Sequence, residues 1–160
     1  MKYFISVFVL TISFVSILNA QKRYQKNYDI NNQLISEGWV ENNKKTGYWQ
    51  FYYSTGTIKK EGHFSLGVAS EYWRYYNTNG QLKMEGHFKS GKKNNWWLFY
   101  DDMEKVNHKC QLKDNEKNGY CLIYDNEKLI AASRYKADKK IKEWTTFASF
   151  KKENQLSNLQ

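Results

Sequence analysis

The chain contains no proline and only two cysteines among its 160 residues. The absence of proline, together with an aromatic content of 18%, favours aromatic-rich β-strands over a helical bundle built from leucine and alanine. The two cysteines, Cys110 and Cys121, lack the CxxC spacing of a zinc or redox site. Two alternatives remain for them: a structural disulfide, or two buried free thiols.

The sequence also lacks the short motifs of common catalytic and nucleotide-binding sites. It contains no phosphate-binding loop, nucleophile elbow or dinucleotide fingerprint. Asp101, Asp102 and Glu104 are neighbours in a predicted turn, and no partner motif for glycoside hydrolysis accompanies them. We therefore expect a protein that is not an enzyme and that has no catalytic residues.

Two histidines come nearest to a metal-binding pattern. His63 and His87 each follow a glutamate by two residues, at Glu61 and Glu85. Equivalent positions of successive hairpins lie roughly 10 Å apart in a sheet, which is too far for shared ligation of one ion. We expect structural or surface roles for both histidines, with no metal and no cofactor.

The first 20 residues carry the pattern of an export signal. Lys2 supplies a positive charge, residues 3–18 are almost entirely apolar, and the small residue Ala20 precedes a polar segment. The apolar run is about 16 residues long, shorter than the roughly 20 that a membrane-spanning helix needs. We expect residues 1–20 to be a signal peptide and the mature protein to be periplasmic or secreted.

The remaining chain is basic, with 24 basic against 16 acidic side chains, or a net charge of +8. One interpretation is that the lysines solubilise and protect exposed edges of a sheet. The alternative is attraction of an anionic partner, such as a phospholipid headgroup or an acidic polysaccharide. We do not expect nucleic acid as a partner.

An internal repeat of 24 residues is the strongest signal in the sequence. At this offset Glu-Gly pairs, tryptophans and tyrosines coincide: Glu37-Gly38, Glu61-Gly62 and Glu85-Gly86; Trp49, Trp73 and Trp97; Tyr52, Tyr76 and Tyr100. Two weaker copies follow, the second after the loss of one residue, and they retain Leu112, Cys121 and Tyr124, then Tyr135, Trp144 and Phe147.

Within one copy the side chains alternate with the period of a β-strand. Leu82 and Met84 fall on one face, and Lys83 and Glu85 fall on the other. Turn residues at 89–95 lead to a returning aromatic strand, so each copy predicts a hairpin. A lone hairpin is marginal in water, and neighbouring copies must therefore pair side by side.

The predicted fold is all-β: an elongated, single-layer antiparallel β-meander of about five stacked hairpin repeats. We expect a polar N-terminal linker at residues 21–36, the repeat domain at 37–150, and a polar C-terminal tail at 151–160. A short capping helix in that tail is an open alternative.

The recurrent pattern Glu-Gly-x-Phe, a Gly-Lys turn, x-Trp-x-x-Tyr and Asn-Gly, as found from Asn79 to Tyr100, resembles the MORN repeat (membrane occupation and recognition nexus). More closely it resembles the bacterial variant known as the YwqK-like antitoxin family. The resemblance covers Glu37 to about Tyr100 well, and Cys110 to Phe147 weakly. It implies an elongated sheet that contacts other proteins or, in some members, anionic lipid.

The aromatic rows are the candidate binding residues, because alternation places the tryptophans and the tyrosines on opposite faces. Either the rings join hairpin to hairpin, or part of a row flanked by Lys and Arg contacts a partner. The candidates are Trp49, Trp73, Trp97, Tyr52, Tyr76, Tyr100, Arg74, Lys92 and Lys93.

The sequence thus leads to an exported, non-enzymatic module for protein binding or scaffolding, with another protein as the first expected partner. The second hypothesis is a binder of anionic envelope lipid or polysaccharide. The third is an enzyme, since repeat sheets can carry grafted sites, or an antitoxin-like inhibitor, whose toxin would itself have to be exported. Oligomeric state is left open.

Overall fold

In the computed structural model, which describes residues 21–155, the chain forms one open antiparallel sheet of eleven strands that pair in chain order. The predicted all-β meander of hairpins is therefore confirmed. The strands are β1 (Arg23–Tyr28), β2 (Leu34–Glu41), β3 (Lys44–Tyr52), β4 (Ile58–Ser65), β5 (Val68–Tyr76), β6 (Leu82–Lys89), β7 (Lys92–Tyr100), β8 (Val106–Lys113), β9 (Glu116–Asp125), β10 (Lys128–Lys136) and β11 (Lys139–Trp144). One helix, α1 (Phe147–Glu153), follows β11. The predicted signal peptide, residues 1–20, lies outside the described residues.

Two kinds of connection alternate along most of the sheet and produce the 24-residue period. Inside a hairpin the turn has two residues with positive φ, such as Leu66 (51°) and Gly67 (86°). Such turns match the right-handed twist of paired strands. Five-residue loops, at 53–57 and 77–81, join one hairpin to the next. The turn after β6 is shorter than the predicted 89–95, because β7 already begins at Lys92.

Residues 21–36 are not a linker, so that part of the predicted organisation is wrong. They contain β1 and the first residues of β2, and Tyr24 of β1 pairs with Trp39 of β2. The segment is polar because β1 is an edge strand with largely exposed side chains. The repeat domain therefore begins about one strand earlier than the sequence indicates.

Helix α1 crosses the predicted boundary between domain and tail at residue 150. Thr146 caps its first turn by accepting a hydrogen bond from the Ser149 N–H. Phe150 is fully buried and packs edge-to-face on Trp144, with ring centroids 5.1 Å apart. The helix thereby covers one face of the sheet at its C-terminal end.

Trp144 does not continue the row of Trp49, Trp73 and Trp97, although the repeat alignment places it there. It belongs to the cluster around Leu122 and Phe150, on the opposite face of the sheet. The reason is the register of β11: only Ile141 is unpaired between the turn and Trp144, whereas two residues, 95 and 96, are unpaired between the turn and Trp97. A one-residue shift in a strand moves a side chain to the other face.

Each of the first three repeats is held by a tryptophan ring lying on a glycine of the preceding strand. Trp49, for example, is paired with Gly38. A Cβ atom added at Gly38 would lie 2.4 Å from the Trp49 ring. The Trp49 Nε1–H donates to the carbonyl of Trp39 at 2.8 Å, beside an irregularity in the strand register. Trp73 and Trp97 repeat both contacts, on Gly62 and Gly86.

We predict that Gly62→Ala lowers the free energy of unfolding by about 2 kcal/mol or more, because the new methyl group overlaps the buried Trp73 ring. Denaturant unfolding followed by tryptophan fluorescence measures this loss. Gly56→Ala is the control: no atom lies within 4 Å of its added Cβ, although its φ of 84° is unfavourable for alanine. A smaller loss at Gly62 than at Gly56 would contradict the proposed packing.

Candidate functional site

The two faces of the sheet have different chemistry, and we name each by its aromatic row. The indole face carries Trp49, Trp73 and Trp97, together with the phenylalanines packed on them. The tyrosine face carries Tyr52, Tyr76 and Tyr100. The three indoles are only 0%, 2% and 0% exposed, so they join hairpin to hairpin and contribute almost no surface to a partner.

Lysine side chains cover the buried rings of the indole face. The Lys45 ammonium lies 4.4 Å from the Trp49 ring centroid and 4.5 Å from that of Phe51. Lys60 approaches the same Phe51 ring at 4.8 Å, and Lys93 lies 4.5 Å from Trp97. Burial lowers the pKa of Lys45, and the neighbouring Lys60 charge lowers it further.

In the part of the chain that the structure describes, these ammonium groups have no carboxylate partner. Within residues 21–155, none of Lys45, Lys60, Lys93 and Lys117 takes part in an ion pair. Lys117 continues the row, 4.9 Å from the Tyr135 ring. The indole face therefore presents positive charge held over aromatic rings. Sequence analysis missed Lys45 and Lys60 because Ala69 and Met84 occupy the equivalent positions of the next repeat.

On the tyrosine face, each tyrosine donates its hydroxyl to the glutamate of the Glu-Gly pair fifteen residues earlier. The Tyr52–Glu37 hydrogen bond is 2.6 Å and the Tyr76–Glu61 bond is 2.7 Å. Tyr100 makes the third, to Glu85. The Glu-Gly pair thus contributes to both faces. Its glycine leaves room for an indole ring on the indole face, and its glutamate accepts a hydrogen bond from a tyrosine hydroxyl on the tyrosine face.

Glu61 shows how this network acts on a buried carboxylate. Burial raises its pKa, but hydrogen bonds from Tyr76, Gln50 and Tyr48, with the charge of Arg74, outweigh burial and leave the pKa below its ordinary value. The carboxylate form is therefore the one that the fold stabilises. Conversely, burial and the adjacent Glu85 charge raise the pKa of Tyr72 to about 12.

Exposed aromatic rings cluster at the N-terminal end of the tyrosine face. Tyr24, Trp39 and Tyr48, which we call the aromatic patch, lie on β1, β2 and β3 and are 48%, 39% and 39% exposed. Tyr24 packs edge-to-face on Trp39, and the Lys22 ammonium lies 5.1 Å from the Trp39 ring. Sequence analysis missed this patch, although Tyr24 precedes Tyr48 by the repeat length of 24 residues, a signal that could have extended the repeats to β1.

The three cations predicted to flank the aromatic rows do not converge. Arg74 lies on the tyrosine face, 3.3 Å from Glu85. Lys93 lies on the indole face over Trp97. Lys92 sits near the hairpin turn, 3.8 Å from Asp114. Only Arg74 is therefore placed beside the tyrosine row.

Cys110 and Cys121 are joined by a disulfide between β8 and β9, with their Cα atoms 4.0 Å apart. They occupy the positions that Gly86 and Trp97 hold in the preceding repeat. A covalent link thus replaces the indole–glycine contact in the fourth repeat.

The repeated histidines pack on tyrosines. His63 lies edge-to-face on Tyr48 at 5.1 Å, and His87 on Tyr72 at 4.7 Å. No group of three or more His, Cys, Asp or Glu side chains suited to a metal ion occurs in the described part of the chain. No helix within residues 21–155 is long and apolar enough to cross a bilayer.

Taken together, the fold and its two faces define a single-layer repeat sheet with open surfaces. No family model matches the chain, and no curated protein matches its sequence. Among solved structures it is similar to a chain in the structure of accessory secretory protein 1, 2 and 3 of Streptococcus pneumoniae, with a TM-score of 0.40 and 14% identity. That match covers 63% of this chain and 19% of the other.

We predict that Tyr76→Phe lowers the free energy of unfolding by about 1.5 kcal/mol at neutral pH, because Glu61 loses a hydrogen-bond donor to its charged form. Since the folded pKa of Glu61 is lowered, its contribution is present above the ordinary value of 4.5 and is lost as pH falls through the folded value. The difference between wild type and variant should therefore shrink at acidic pH. Urea unfolding at several pH values measures it. Tyr28→Phe, on exposed β1, is the control, and an equal effect there would contradict the assignment.

Proposed function

We propose that this protein is a non-enzymatic, exported MORN-like module that binds another protein through its tyrosine face. The observation that carries the proposal is the aromatic patch, where Tyr24, Trp39 and Tyr48 stay exposed on three adjacent strands. Tyrosine and tryptophan are enriched at the energetic centres of protein interfaces, since each ring offers a large apolar area with a polar edge.

The charge around the patch favours a partner with an acidic surface. The face's own carboxylates are already engaged, Glu37 by Tyr52 and by Lys26 at 3.4 Å, and Glu85 by Arg74 and Tyr100. The chain from residue 21 onward carries a net charge of +8. Complementary charge would accelerate encounter and exclude basic partners.

Export is supported by the predicted signal peptide and by the disulfide. A stable disulfide is typical of proteins outside the reducing cytosol. An antitoxin-like role remains a special case of the same proposal, in which the acidic partner is an exported toxin.

We expect a photo-crosslinking residue at Trp39 or Tyr48 to capture one defined protein in producing cells, and the same residue at Ile123 of β9 to capture none. The captured protein is then purified and titrated by calorimetry. Tyr24→Ser/Trp39→Ser should weaken binding by about tenfold or more, since two exposed hot-spot rings are removed. Lys45→Gln/Lys60→Gln on the indole face should leave it within about twofold. Equal loss in both double variants would exclude the tyrosine face as the interface.

A second candidate function rests on the indole face. Lys45, Lys60, Lys93 and Lys117 form a cationic row without carboxylate partners in the described chain. Such a row suits an anionic envelope lipid or an acidic polysaccharide, held by charge and by the rings beneath.

For this candidate we expect sedimentation with vesicles of equimolar phosphatidylglycerol and phosphatidylcholine, or retention by polygalacturonate, and release by raised salt. Lys45→Gln/Lys60→Gln should reduce binding by about tenfold or more, at roughly 1 kcal/mol per lysine. Lys83→Gln/Lys89→Gln makes the same change in net charge on the tyrosine face of β6 and should retain most binding. Equal losses in the two variants would indicate attraction by net charge alone.

A further inference from the structure

The fourth repeat breaks the tyrosine–glutamate row in a way that leaves hydrogen-bond donors without an acceptor. Glu37, Glu61 and Glu85 recur every 24 residues, but the next equivalent position holds Lys109. The tyrosine is retained as Tyr124, fifteen residues later. The position that supplies a carboxylate to each earlier tyrosine therefore holds a lysine in the repeat of Tyr124.

The contacts of Tyr124 and Lys109 reflect this exchange. Within residues 21–155 the Tyr124 hydroxyl makes no hydrogen bond, and the pKa of Tyr124 is raised by burial alone, without a carboxylate contribution. Lys109 takes part in no ion pair in the same range, and its ammonium lies 4.7 Å from the Trp96 ring. The buried Nε1–H of Trp96 also has no acceptor among the described residues. Three donors thus occupy one region.

The same two side chains line an open groove of about 480 Å³ on the tyrosine face. Leu98, Tyr100 and Val106 supply its apolar walls. Glu104, Lys105 and Glu127 also line the groove, and the Glu104 carboxylate accepts a hydrogen bond from the Leu82 N–H at 2.8 Å. The two glutamate carboxylates repel a ligand with many negative charges. A ligand with one carboxylate and an apolar chain fits this lining better.

We propose that this groove binds a glutamate side chain of the partner protein, with its carboxylate between the Lys109 ammonium and the Tyr124 hydroxyl. The partner's carboxylate takes the place that Glu37, Glu61 and Glu85 fill in the first three repeats. Its methylene groups contact Leu98 and Val106. This inference rests on the proposed protein-binding function and specifies the chemistry that the tyrosine face recognises.

The probe is the blocked peptide acetyl-Leu-Glu-Leu-amide, compared with its glutamine counterpart. Binding is followed by the indole ¹H–¹⁵N signal of Trp96, assigned with a Trp96→Phe variant. We expect a saturable shift with the glutamate peptide and at least about tenfold weaker binding of the glutamine peptide, since a charge-assisted hydrogen bond is lost. Equal binding of the two peptides would overturn the carboxylate assignment.

Lys109→Glu is the decisive variant, because it restores the repeat pattern and gives Tyr124 an internal carboxylate. It should abolish the shift without lowering the melting temperature. Tyr124→Phe should weaken binding by a smaller factor. Lys89→Glu makes the same charge change at an exposed position opposite Lys92 and should leave binding unchanged. Undiminished peptide binding by Lys109→Glu would refute the site.

Two further outcomes separate this site from the proposed function. If the crosslinked partner protein binds Lys109→Glu as tightly as wild type, the protein-binding function is supported and the glutamate site is refuted. If glutarate binds in a Lys109-dependent manner as tightly as the peptide, the groove takes a small dicarboxylate, and the assignment to a partner's side chain is wrong.

Discussion

The contact on which this sheet depends is an indole ring lying flat on a glycine of the preceding strand. A single-layer sheet has no second layer to cover its aromatic side chains, yet Trp49, Trp73 and Trp97 are almost completely buried. They achieve this because the glycine leaves room for the ring, while rings such as Phe64 pack on the indole. Each such contact joins β2 to β3, β4 to β5, or β6 to β7, so stability accumulates repeat by repeat.

This packing gives the two faces of the sheet different roles. Burying the indoles commits the indole face to cohesion, and only its lysine ammonium groups remain available to an anion. On the tyrosine face, the tyrosine hydroxyls donate hydrogen bonds to the glutamate carboxylates. These bonds run along the face from strand to strand and leave the ring surfaces partly exposed. The tyrosine face therefore exposes more aromatic surface than the indole face, at Trp39 and Tyr48 among others, which is why we propose it as the protein-binding face.

The periodicity was sufficient to predict the hairpins, the meander and the opposite placement of the tryptophan and tyrosine rows. It failed where the pattern changes: β1 keeps the repeat's tyrosines at positions 24 and 28 but has Gln25 in the tryptophan position, and the register of β11 turns Trp144 to the other face. The binding candidates Arg74, Lys92 and Lys93 were adjacent to the rows in sequence, but strand alternation and turn position separate them in space. Contacts between repeats, such as Lys45 and Lys60 sharing the Phe51 ring, leave no signal in a self-alignment.

The disulfide explains how the fourth repeat can lack the indole–glycine contact and still pair stably in the sheet. Cys110 and Cys121 link β8 to β9 on the indole face, and closing a loop of this length contributes about 3 kcal/mol by restricting the unfolded chain. That contribution is comparable to the packing of a buried aromatic side chain. The opposite face of β9 is stabilised separately, because Leu122 is buried there beside Phe150 of α1. With β8 and β9 held from both faces, the fourth repeat can lose the internal carboxylate at Lys109, beside Tyr124, which is where recognition of an external one can arise.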